Sequence, residues 1–283
     1  MEFLKDVLKG SLVGVANIIP GVSGGTMAVS MGIYDKLITA ITHIFKDIKR
    51  SIRILLPIII GALLGIGVLA FVIQWLFDNY PTQTNLLFIG LIVGGLPIMW
   101  SKTKEHKIGV GSVIAFIAFL LIVVLFPILG NGAGTEVVLS PSVGMFIQLF
   151  LVGVVASATM VIPGVSGSMM LMVMGFYNPI LDTITGFISA AAAVDVAGMA
   201  SYVWILLPFG VGVVIGIFAI AKFVEFVFKA APSIAYCAIL GLIVGSPVAI
   251  LVLANISNVT IVTVLTSIVA FVIGCAIALK LGD

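Results

Sequence analysis

Two short stretches hold the residues best suited to a charged ligand: Ser23-Gly24-Gly25-Thr26 and Ser166-Gly167-Ser168, each preceded by Pro-Gly-Val. Proline removes a backbone donor and glycine permits a sharp reversal, so Pro20-Gly21 and Pro163-Gly164 should each end one half-helix and start another. A new helix N-terminus offers unpaired N–H groups and the positive end of the helix dipole, which together favour an anion. The hydroxyls add donors, the glycines let a ligand approach the backbone, and Asn17, upstream of the first break, could orient a phosphate through its amide. The chemistry on offer is binding, because an amide is no general acid or base and neither stretch carries a carboxylate, His or Cys. Small residues also serve close helix packing in membranes, the simpler reading for a single copy. Two copies of the break favour a site, since unpaired backbone is tolerated at membrane depth only where it lines a cavity or is buried in protein.

Other candidates are weaker. Asp35, Lys36, Lys222 and Glu225 are the ionisable residues inside apolar stretches; snorkelling is the ordinary reading, gating or coupling the sharper one. Lys222 and Glu225 stand three apart and could pair on one helix. Tyr34 and Tyr177 follow the two breaks symmetrically, as head-group contacts or as interfacial anchors. Met169, Met170, Met172 and Met174 suit adaptable packing or a path for an apolar tail. His43 and His106 lie in charged connections with no carboxylate, Cys or other His beside them, and Cys237 and Cys275 lie in apolar runs without metal-type spacing. Neither a metal nor a cofactor is expected.

The elements that carry these residues must sit in a bilayer. Hydrophobic residues make up 62% of the 283 positions and charged residues 8%, against roughly half and a quarter in soluble domains. No polar linker divides the chain, so one membrane domain is expected and a nucleic-acid partner is not. The opening MEFLKDVLKG lacks the apolar core and cleavage site of a signal peptide and reads as an amphipathic leading helix. Runs long enough to span, about 20 helical residues, cover 54–77, 85–100, 108–129, 202–228, 233–254 and 260–279. Two further apolar stretches, 11–41 and 144–188, are interrupted by Pro-Gly.

Those two stretches are copies. IIPGVSGGTMAVSMGIYDKLI matches VIPGVSGSMMLMVMGFYNPIL, with identities at Pro20/Pro163, Gly21/Gly164, Val22/Val165, Ser23/Ser166, Gly24/Gly167, Gly32/Gly175 and Tyr34/Tyr177. The match resumes at a shifted register, Gly61 with Gly212, Gly65 with Gly216 and GLIVG at Gly90 with GLIVG at Gly241, so the second copy holds extra residues, placed in Ser189–Ala200. Residues 1–135 and 136–283 thus form two repeats, each a broken element followed by three spans. About ten apolar residues precede Pro20, too few to cross, which makes 11–41 a re-entrant hairpin; symmetry suggests the same for 144–188, although 144–162 could just span. An odd number of crossings then inverts the second repeat. All 13 Lys and Arg residues map to one side, and Asp78, Glu136, Asp182 and Asp195 to the other. The basic side and both termini are expected to be cytoplasmic.

With these residues in view, the duplicated PGVSGG and PGVSGS, and GIYDKLI after the first, resemble the PopT polyprenyl-phosphate translocase family over nearly the whole chain. The resemblance implies a flippase of undecaprenyl phosphate in the plasma membrane, outer to inner leaflet, recycling the carrier for cell-wall polymers. Its partners would be that lipid and the surrounding membrane lipids, with a homodimer as the assembly it admits. GVANIIPGVSGGT also resembles the undecaprenyl-diphosphate phosphatases, whose Glu, His and Arg are replaced here by Asn17, Thr26 and Gly167, which leaves no acid–base pair. A transporter of a small soluble anion would use the same helix ends.

Overall fold

A chain this apolar must satisfy its backbone hydrogen bonds internally, and helices do so within one segment. The computed structural model describes residues 2–18, 22–129, 136–140, 142–254 and 260–282, and it is helical throughout, with no strand among them. The first half runs α1 (Glu2–Ile18), α2 (Gly24–Ser30), α3 (Tyr34–Thr42), α4 (Ile48–Leu64), a π turn at Gly65–Leu69, α5 (Ala70–Asn79), α6 (Pro81–Lys104) and α7 (Val110–Leu129). The second runs α8 (Val143–Val161), α9 (Gly167–Val173), α10 (Tyr177–Ala192), α11 (Val196–Ala230), α12 (Pro232–Leu253) and α13 (Ile261–Gly282).

The order of elements repeats, and so do their boundaries. Gly32 and Gly175 take left-handed φ values of 68° and 75° just after α2 and α9, the conformation that closes a helix C-terminus without a Cβ clash. Tyr34 and Tyr177 then open α3 and α10. Part of the register shift falls in α10, which has 16 residues against nine in α3; Ser189–Ala200, the segment expected to hold the extra residues, closes α10 and opens α11. Asp47 accepts from the Arg50 N–H at 3.1 Å and caps α4, while Asp195 accepts from the Gly198 N–H at 2.9 Å and caps α11.

Packing repeats as well. A Cβ on Gly61 would fall 2.0 Å from the Val7 oxygen, and one on Gly212 2.1 Å from the Phe150 oxygen, so α1 lies on α4 as α8 lies on α11. Gly90 meets Phe271 on α13 in the way Gly241 meets Phe116 on α7. The third span of each half is therefore exchanged onto the second span of the other. Backbones approach this closely only at glycine, the usual device where lipid offers no hydrophobic drive between helices.

Among the described residues, six helices are long and apolar enough to cross a membrane: Ile48–Leu69, Pro81–Lys104, Val143–Val161, Val196–Ala230, Pro232–Leu253 and Ile261–Gly282. The span expected at 54–77 begins earlier and carries the π turn, which nothing in its composition signalled. α8 joins the set with 19 residues, so its half-helix is a full-length element by itself, while α9 and α10 meet at a bend of 112°. The protein is a multi-pass membrane protein.

Candidate functional site

The first break, Pro20-Gly21, lies outside the described residues; its flanks do not. Ser23 caps α2 by accepting from the Thr26 N–H, and Ser166 caps α9 by accepting from the Met169 N–H, both at 3.4 Å. Both hydroxyls thus serve their own helix ends, a use the sequence reading had assigned to a ligand. The Ser166 and Ser168 hydroxyls also touch, at 2.9 Å. At the second break Pro163 is fully buried and Gly164 is left-handed at φ 84°. A Cβ there would stand 2.8 Å from Val123 and 3.0 Å from Leu242, so only glycine fits.

The first half reaches the second break through α2. α2 is buried along its whole length, and its first turn lies against the second break: a Cβ on Gly25 would sit 3.0 Å from the Val161 oxygen and 3.1 Å from the Pro163 nitrogen. Beside it, the Gly164 N–H donates to Thr26 Oγ1 at 2.6 Å. Ser246 Oγ on α12 donates to the Leu242 oxygen at 2.8 Å and stands 3.5 Å from Thr26 Oγ1. A directed chain therefore runs from the break through Thr26 and Ser246 into α12. Sequence reasoning passed over Ser246, although the signal was present: after each GLIVG the chains diverge, to Gly95 in one half and Ser246 in the other.

The site is not symmetric. The Asn17 side chain fills the space above Gly24, and Met160 fills the equivalent space above Gly167. Asn17 Nδ2 donates to the Val13 oxygen at 3.2 Å, which leaves its oxygen free of that bond. Thr26 has Met169 as its counterpart, so the first half supplies both polar groups. Beside Pro163 opens an apolar groove of about 110 Å³ between α11 and α12, lined by Phe223, Val224, Val227, Ile239, Leu242 and Tyr34. Its outer wall, Phe223, is 59% exposed, so the groove faces the lipid.

Tyr34 is 4% exposed and its hydroxyl has no partner among the described residues, which overturns interfacial anchoring for this residue. Tyr177 is half-buried against the α8–α10 core. Asp35 pairs with Lys102, a partner from α6 that spacing could not indicate, and Lys36 is exposed. The Lys222–Glu225 pair that the spacing allowed does not form; Glu225 pairs instead with Lys229 one turn on, at 2.5 Å. His43, read as an isolated loop residue, stands 3.8 Å from Glu225. His106 stacks on Tyr236 with ring centroids 5.3 Å apart. No group of three or more metal-binding side chains occurs among the described residues.

Fold and site define a polytopic helical membrane protein of two halves, joined where α2 of the first lies against the Pro-Gly break of the second, beside a lipid-facing groove. Residues 13–264 match the VCA0040-like family, described as undecaprenyl phosphate translocase-like, and the chain belongs to that family. It is 34% identical to a polyprenyl-phosphate transporter of Staphylococcus aureus (strain NCTC 8325 / PS 47), over 98% of this chain and 95% of that protein. It is 28% identical to a polyprenyl-phosphate transporter of Vibrio cholerae serotype O1 (strain ATCC 39315 / El Tor Inaba N16961), over 87% and 77%. Both relatives are named as transporters rather than enzymes. No solved structure matches the chain.

Proposed function

We propose that the protein is a polyprenyl-phosphate transporter that moves undecaprenyl phosphate from the outer to the inner leaflet of the plasma membrane, returning the carrier for cell-wall polymer synthesis. The observation that carries this reading is the apolar groove at Pro163, open to lipid and ending where α2 lies against the second break. A lipid whose tail stays in the bilayer needs such a lateral opening; a soluble anion does not. The names of the two relatives and of the family support the polyprenyl part.

The phosphate is held between Asn17, Ser23, Gly24, Gly25 and Thr26 of one half and Ser166, Gly167 and Ser168 of the other. In this conformation Thr26 occupies the Gly164 N–H; a phosphate oxygen, as a charged acceptor, would replace it with a stronger bond. Loss of the Thr26 link would then free one half to rock against the other. The halves are inverted, a reading supported by the exchanged packing, with α13 running parallel to α6 through Gln83 to Thr266, Gly90 to Phe271 and Gly94 to Cys275. Both termini face the cytoplasm with the lysine-rich ends. The phosphatase reading has little support, since Thr26, at the position of the His, is engaged in the interior link and no acid–base pair accompanies it.

The test is reconstitution in liposomes, following leaflet exchange of undecaprenyl phosphate and release of phosphate from the diphosphate in one preparation. Exchange without release is expected. Release without exchange would make the protein an enzyme, and neither would point to a soluble anion.

A further inference from the structure

At the lysine-rich end, α3 and the turn after it face the last turns of α11 across a cavity of about 580 Å³ lined by His43, Lys46, Phe218, Lys222, Glu225 and Lys229. A second cavity of about 600 Å³ shares His43, Glu225 and Lys229 and continues past Asp35 to Phe228 and Tyr236. Phe228 also lines the groove that ends at Pro163. The groove and the two cavities thus follow one another along α11 with shared lining residues, apolar beside the break and charged at the far end.

The charges of the vestibule do not cancel. Glu225 is paired with Lys229, and Asp35 with Lys102. Lys46 and Lys222 are exposed and have no carboxylate within ion-pair distance among the described residues. Two uncompensated ammonium groups match the charge of a phosphomonoester, about −1.5 to −2 at neutral pH. Next to them Phe45 is 87% exposed and stacks on Phe218 with ring centroids 5.6 Å apart, an apolar surface beside the cationic one. A lipid needs that combination at its head and first tail carbons, whereas a free anion needs only the lysines.

We infer that this vestibule is a second binding station, which takes the phosphomonoester head of a prenyl lipid between Lys46 and Lys222 after it has left the breaks. The inference shares its ligand with the proposed function and rests on it to that extent, but it concerns separate residues.

The test uses the full-length protein in lipid nanodiscs with a prenyl phosphate that carries a photoreactive diazirine on its first isoprene unit. Cross-linked peptides from residues 42–46 and 218–229 are expected. Their labelling should fall about fivefold for each lysine neutralised in Lys46→Gln and Lys222→Gln, and Lys46→Arg with Lys222→Arg should restore it. Both side chains are exposed, so these changes leave the packing alone. Unlabelled prenyl phosphate should displace the probe and inorganic phosphate at equal concentration should not. Absence of label there, or label indifferent to the Gln substitutions, would overturn the inference; displacement by inorganic phosphate would hand the vestibule to a free anion and overturn it likewise. Peptides around Thr26 and Ser166 are read in the same digest: label in the vestibule without label at the breaks would sink the central site and leave this one standing.

Discussion

Thr26 Oγ1 accepts a hydrogen bond from the Gly164 N–H at 2.6 Å, joining the first turn of α2 to the second Pro-Gly break across 138 residues of chain. Both partners come from the repeated motif, yet the bond has no described counterpart, because Met169 stands where a second Thr26 would be. The link is thus a property of one half acting on the other. It is also the contact whose loss the proposed transport cycle requires.

Thr26→Val keeps the shape and removes the acceptor, leaving the Gly164 N–H in the interior without a partner. The expected cost is about 1–3 kcal/mol of stability, with Thr26→Ser recovering most of it. Thermal unfolding of the purified protein in detergent reads the difference. A valine variant as stable as the parent would mean that the bond contributes nothing.

Ser23→Ala and Ser166→Ala each remove a helix cap, worth about 1 kcal/mol. If the hydroxyls also contact the phosphate, the double variant should lose leaflet exchange per folded molecule, beyond the fall in folded protein. Exchange rates normalised to the monodisperse fraction separate the two effects. An unchanged normalised rate would remove both serines from the site.

Gly61→Ala and Gly212→Ala should destabilise by similar amounts, about 1–3 kcal/mol, because each forces a Cβ into a backbone oxygen of the neighbouring helix. Gly210→Ala, with nothing within 4 Å of the added carbon, is the control and should be neutral or slightly stabilising. Denaturation midpoints of the three variants test the repeat as a physical object. Unequal costs at Gly61 and Gly212 would show that the halves are packed differently despite their common pattern.

Tyr34→Phe deletes a buried hydroxyl without a partner, so stability should hold or rise by up to about 1 kcal/mol. Transport should fall if the hydroxyl serves the groove that Tyr34 lines beside Pro163. A variant that unfolds earlier and transports normally would invert both expectations and assign Tyr34 a structural role.

The sequence by itself determined the solvent, the helices, the duplication and the two breaks. These follow from composition and from local rules: apolar runs need helices in lipid, proline and glycine end them, and serine and aspartate cap them where they restart. What only the tertiary structure decided is which groups from distant elements face each other. Lys102 on α6 meets Asp35, Glu225 turns from Lys222 to Lys229 and approaches His43, and Ser246 on α12 reaches Thr26. Glu225–Lys229 lies on one helix at a four-residue step, but spacing encodes none of the others, because the crossing of helices sets side-chain distances between segments that lie far apart in the chain. The same holds for the use of the site hydroxyls. Their position at helix starts was legible in the motif and the caps made by Ser23 and Ser166 are local, but the bond of Thr26 to the Gly164 N–H depends on how closely α2 approaches the second break, and glycine packing sets that approach.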